Sequence, residues 1–103
     1  MGYTQKFLEM PASVQGVLEL AVSELDPGRI ILFGSRARGT HRETSDFDLA
    51  FWGLAKKSQW TKFLAEVEEQ TLTLYDLDLL QYESTSDQYK KAIDSEGVTL
   101  YER

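Results

Sequence analysis

Arg29-Ile30-Ile31-Leu32-Phe33-Gly34-Ser35 is followed, after ten residues, by Asp46-Phe47-Asp48-Leu49-Ala50-Phe51. The first run is continuously apolar and predicts a buried strand over residues 29–33. In the second, Phe47, Leu49 and Phe51 alternate with Asp46, Asp48 and Ala50, which predicts a strand over residues 46–52 with one apolar face. Its two carboxylates then share the other face, roughly 6.5–7 Å apart along the strand. Like charges side by side destabilise a sheet, so a cation is needed to compensate them. Between the strands, a glycine lets backbone approach a phosphate closely, and serine and its neighbouring amides donate hydrogen bonds to phosphate oxygens. A phosphate-gripping turn beside paired ligands for divalent ions is the chemistry of nucleotidyl transfer.

The flanking sequence completes a small α/β layer. Residues 1–11 read as a weakly ordered lead-in. Val14, Val17, Leu18, Ala21 and Leu25 recur at helical spacing and predict a helix over residues 12–25, with Ser13 as a candidate cap. Asp26-Pro27-Gly28 ends it. Residues 34–39 read as a tight turn opening a short helix, and 40–45 as loop. Ser58 is a candidate cap for a second long helix, whose apolar stripe is Trp60, Phe63, Leu64, Val67 and Thr71. Thr73 to Gln81 reads as a third strand. Ser86 or Asp87 caps a last helix with Tyr89, Ala92 and Ile93 turned inward and Gly97 just past its end. Val98 to Tyr101 adds a short edge strand. The expected fold is a small mixed sheet of three to four strands with helices packed on it.

Composition narrows the function. The 103 residues suit one domain, and 42% apolar with 12% aromatic content supports a packed core. There is no cysteine, which removes disulfides, thiolate nucleophiles and zinc–thiolate sites and fits a cytoplasmic origin. No apolar run approaches a membrane span and no signal-peptide pattern opens the chain. A net charge of −6 argues against generic nucleic-acid binding. Four of the five arginines, Arg29, Arg36, Arg38 and Arg42, nevertheless cluster around the Gly-Ser turn, where they suit a triphosphate. His41, the single histidine, sits in a polar loop and reads as solvated. Trp60 with Phe63 reads as core, while Trp52 stands at a strand end where it could contact a nucleobase or a partner.

A third carboxylate would share an ion or take a proton from an attacking hydroxyl. Asp76 and Asp78 fall on one face of the third strand, and alternation does not choose between them. Asp78 lies between Leu77 and Leu79, deeper in the apolar run, where burial of an uncompensated charge is costly. That consideration favours Asp78.

Gly34-Ser35-Arg36-Ala37-Arg38-Gly39 with Ser45-Asp46-Phe47-Asp48-Leu49 resembles the minimal nucleotidyltransferase family of the DNA polymerase β superfamily. The resemblance runs from about residue 12 to residue 103 and implies a single minimal nucleotidyltransferase domain over residues 1–103. It implies that Gly34 and Ser35 bind the triphosphate of ATP; beside them Arg36 or Arg38 is placed to neutralise phosphate charge as a bidentate donor. It implies that Asp46 and Asp48 ligate two Mg²⁺ ions and that Asp78 completes an acidic triad. Many members pair with a small all-helical HEPN toxin and act as its antitoxin by moving AMP onto a tyrosine. A non-catalytic antitoxin acting by contact, and a small-molecule nucleotidyltransferase, are the alternatives. Without the extra substrate-binding domain of larger relatives, the acceptor site is expected from a partner or from a second copy in a homo-oligomer.

Overall fold

The computed structural model describes residues 2–103. Five strands and five helices follow in the order β1 (Gly2–Tyr3), α1 (Gln5–Leu8), α2 (Ala12–Leu25), β2 (Arg29–Phe33), α3 (Ser35–Arg38), β3 (Phe47–Trp52), α4 (Trp60–Glu69), β4 (Leu77–Gln81), α5 (Asp87–Glu96) and β5 (Val98–Glu102). The sheet order is β1-β5-β2-β3-β4. All neighbours are antiparallel except β3 and β4, which run parallel around the crossover through α4. The sheet is therefore mixed, as expected, with five strands rather than three to four.

Alternation along β2 and β3 sorts the core into two layers. Ile30, Leu32, Phe47, Leu49 and Phe51 pack beneath α2 and α4 against Val14, Val17, Leu18, Ala21, Leu25 and Phe63. Each fully buried side chain of this kind contributes about 1.5–3 kcal/mol of transfer free energy. The opposite face holds a smaller cluster of Ile31, Phe33 and Ala50 beneath Ile93 of α5. Because α5 covers only part of this face, the end of β3 carrying Asp48 stays open.

Several expectations need correction. The segment 2–11 is ordered (Met1 lies outside the described residues): β1 pairs with β5, and Thr4 caps α1 while its hydroxyl donates to Thr99 O at 2.8 Å. Buried Phe7 and the tilted ring contacts of Tyr3 with Phe7 and Tyr101 fasten it. As a result β5 is an interior strand, flanked by β1 and β2, and not an edge. Ser13 does not cap α2; its hydroxyl pairs with Thr73 Oγ1 at 2.8 Å. Ser58 lies in a 3₁₀ turn, Lys57–Gln59, and Gln59 takes the cap position of α4. Thr71 has left the helix, at φ 46°.

The third strand is also shorter than expected. It begins at Leu77, because Thr73 Oγ1 accepts the Tyr75 N–H and holds a local turn in place of a ladder. Ser86, not Asp87, caps α5. Tyr89 is half exposed, with only its ring edge against Phe33. Gly97 stops α5 where space runs out: a β-carbon there would overlap Ile93 O and Ile31 Cγ2.

Candidate functional site

β2 delivers the chain to Gly34 at φ 76°, ψ −158°, a conformation L side chains rarely adopt. The chain then enters α3, where the Ala37 and Arg38 amides donate to Gly34 O at 3.1 Å. Antiparallel pairing sets Phe33 opposite Asp48, so the next residue, Gly34, lies beside the Asp48 side chain. A β-carbon on Gly34 would overlap Asp48 Oδ2. The glycine is therefore required twice, by its backbone angle and by the carboxylate over it.

Parallel pairing sets Asp48 opposite Asp78. Neighbouring strands lie about 4.8 Å apart, and paired residues share a face, so the two carboxylates stand side by side. Asp46 immediately precedes β3, two residues from Asp48. Burial first, then the charges of Asp78 and Asp46, push the Asp48 carboxyl above its ordinary value of 3.8, with Arg38 opposing and Glu96 adding to the rise. Asp46, Asp48 and Asp78 thus gather at one end of one sheet face, and Asp48 feels the charge of the other two.

Two details differ from expectation. Asp78 is exposed, so burial does not single it out; its register with Asp48 does. Asp76 precedes β4, and its carbonyl accepts the Phe47 N–H at 2.9 Å. Among the described residues, no three acidic, histidine or cysteine side chains converge into a ready-made metal cage. The donor chemistry still suits a hard divalent cation. Mg²⁺ is usually held by one or two carboxylates with substrate phosphates and water completing the shell. At Asp48, burial and the neighbouring acids outweigh the one opposing cation, Arg38.

The arginines divide between two tasks. Arg36 lies with its guanidinium carbon 3.9 Å from the centroid of the Phe47 ring and 5.7 Å from that of Tyr75. It donates to the carbonyls of Ser45 (3.0 Å), Arg42 (3.3 Å) and Glu43 (2.9 Å). Arg36 therefore fastens the loop that leads into Asp46. Arg38 remains at the turn and pairs with both oxygens of Glu96, at 2.9 and 3.0 Å. Ser35 opens α3 next to Gly34. Arg29 turns instead to Thr99 and Glu102.

Trp52 stands at the opposite end of β3 from Asp48, with its ring against Gly28, and does not face the acidic cluster. Glu96 escaped the sequence reading altogether, since nothing in a helix-ending Glu-Gly announces a contact 62 residues away. Beside Asp78, a groove of about 570 Å³ runs between α4 and β4, lined by Leu64, Val67, Glu68 and Asp76 among others.

The family description "Polymerase beta, Nucleotidyltransferase" matches residues 16–103, which include every residue of this cluster. The chain belongs to the polymerase β nucleotidyltransferase family. Membership carries nucleotidyl transfer as the general activity of the family, with a nucleoside triphosphate and divalent metal as its usual requirements. A toxin–antitoxin crystallised with AMP-PNP is similar at 25% identity and a TM-score of 0.59, over 88% of this chain and 72% of that chain. A protein assigned as a minimal nucleotidyltransferase is similar at 22% identity and a TM-score of 0.66, over 91% of this chain and 95% of that one. The toxin–antitoxin MntA-HepT is similar at 21% identity and a TM-score of 0.52, over 97% and 74% respectively. The last two likenesses bear on fold alone. No match was found among curated proteins. No helix among the described residues is long and apolar enough to cross a membrane.

Proposed function

We propose that this domain transfers AMP from ATP to a tyrosine hydroxyl of a small all-helical HEPN-type toxin, and acts as its antitoxin. The observation that carries the reading is the register of Asp48 with Asp78 beside Gly34. It gathers carboxylates next to a turn whose backbone can approach a polyphosphate. The toxin–antitoxin crystallised with AMP-PNP supports both the partner and the nucleotide class.

In this reading Gly34 and Ser35 present backbone and hydroxyl donors to the triphosphate, and Arg38 contributes positive charge. Asp46, Asp48 and Asp78 would hold the divalent ions, which supply charge neutralisation on the phosphate oxygens when bound. The acceptor hydroxyl attacks the α-phosphorus in line. A new phosphorus–oxygen bond forms, the α–β bridging bond breaks, and pyrophosphate leaves. Asp78, exposed at the mouth of the cluster, orients the hydroxyl and takes its proton. Arg36 keeps Asp46 in place through the loop it fastens.

Incubation with ATP labelled on the α-phosphate, Mg²⁺ and the partner tests the proposal. Label on the partner's tyrosine is the expected result, and a tight complex that never acquires label would refute it. That second outcome belongs to a non-catalytic antitoxin. This alternative draws on the fact that the Gly34 N–H and Arg38 are already engaged by Glu96.

A further inference from the structure

Glu96 closes α5 and reaches across to the Gly34–Arg38 turn. Its Oε1 accepts the Gly34 N–H at 3.3 Å, and its two oxygens accept from Arg38 Nη1 at 2.9 and 3.0 Å. One carboxylate thus takes a backbone amide and a guanidinium at the same time. That is the donor pair a phosphate oxygen would use. The side chain is only 23% exposed, against 49% for Arg38.

The position of Glu96 is otherwise unfavourable. The carboxylate sits at the negative end of a helix whose last turn carries no basic residue. It also points toward the acidic end of the sheet. The donors of the turn are what hold it there. The backbone beneath cannot shift easily, because Gly97 is wedged against Ile31 and Ile93, and Ile93 is buried. Glu96 can therefore leave the turn by side-chain rotation alone.

We propose that Glu96 is a resident anion. It occupies the phosphate donors of the turn in the empty protein and rotates away when a polyphosphate enters, so its departure is coupled to nucleotide binding. The proposal rests on reading the turn as the polyphosphate site. Its consequence is a lowered affinity for small or weakly charged anions, since only a ligand of several charges outcompetes the tethered carboxylate at Arg38. The exchange leaves Arg38 neutralised in both states and the turn preformed.

The test measures binding of inorganic tripolyphosphate, and of ATP without metal, by calorimetry on the full chain. Glu96→Gln should bind both about fivefold more tightly than the wild type, the size expected for release of one partly exposed ion pair. The gain should vanish in the Arg38→Gln background. Glu96→Asp, one methylene shorter, should show a smaller gain in the same direction and serves as the readout if Glu96→Gln does not fold. A purely structural contact predicts the reverse, because its loss would leave affinity unchanged or lower it. Wild-type binding with no gain in either variant overturns the proposal and leaves the nucleotide reading standing. No binding of either metal-free ligand by any form overturns the proposal alone, and label transfer from ATP with Mg²⁺ then decides the nucleotide reading.

Discussion

The carboxylate of Asp48 occupies the space that a β-carbon on Gly34 would fill. Gly34 follows the end of β2, Asp48 lies on the adjacent β3, and the Phe33–Asp48 pairing brings them together. The Gly34 turn and the acidic strand are thus one interlocked unit.

Gly34→Ala should disturb both halves of that unit. Alanine meets a disfavoured backbone angle and displaces Asp48, at a cost of about 1–3 kcal/mol in stability. Nucleotidyl transfer should fall further than stability explains. Chemical denaturation beside a labelled-ATP assay checks this. A variant with wild-type transfer would show that Asp48 does not need its present position.

Asp48→Asn should stabilise the metal-free protein while reducing transfer by roughly a hundredfold or more. Burial and the charges of Asp78 and Asp46 hold the Asp48 carboxyl above 3.8, so the native state keeps its proton longer than the unfolded chain. The resulting deficit is absent below the ordinary value and develops as pH rises through the raised one. The melting temperature of the variant should therefore exceed that of the wild type near neutral pH and converge with it in acid. Magnesium should raise the melting point of the wild type and not of the variant. Equal melting points across the whole pH range would contradict the crowding of charge described above.

Asp78→Asn should lower transfer by about 10²–10⁴, the range for loss of a positioned acid–base group. Asp76→Asn should stay within about threefold of the wild type, because Asp76 engages β3 through its carbonyl and not its carboxylate. The reverse ranking in a side-by-side rate measurement would move the third acidic role to Asp76.

Arg36→Ala should cost about 2 kcal/mol, through loss of three carbonyl contacts and of stacking on Phe47. Arg36→Lys should recover little, since an ammonium cannot lie flat on a ring while serving three acceptors. Hydrogen exchange should quicken across residues 42–45 in both. Unchanged exchange there, with only nucleotide affinity reduced, would return Arg36 to the phosphate-binding role that the sequence suggested.

Elements with strong periodicity are legible in the sequence. The α2 stripe and the two strands around Gly34 fall where their patterns predict, because each buries one continuous face. The loss of residues 73–76 from the third strand was not legible, since Thr73 and Tyr75 have good strand propensity and only their local hydrogen bonds decide otherwise. The order at residues 2–10 depends on β5, nearly a hundred residues away. At the site, the Gly34 turn and the acids Asp46, just before β3, and Asp48, within it, could be read locally. That Asp78 and not Asp76 stands opposite Asp48 depends on the register of a parallel pair, which no local pattern encodes. The diversion of Arg36 and the reach of Glu96 were equally hidden, because both depend on partners supplied by other segments.

The crossover that places β4 beside β3 has a bearing on how the protein matures. Asp48 and Asp78 are thirty positions apart along the chain, and Glu96 meets Gly34 across sixty-two. The β2–β3 hairpin already carries Gly34, Ser35, Arg38, Asp46 and Asp48, and Asp78 joins them only when β4 pairs with β3. A partly folded chain that lacks the β3–β4 pairing should therefore hold an incomplete acidic set, and metal-dependent transfer becomes a gauge of whether that long-range pairing has closed.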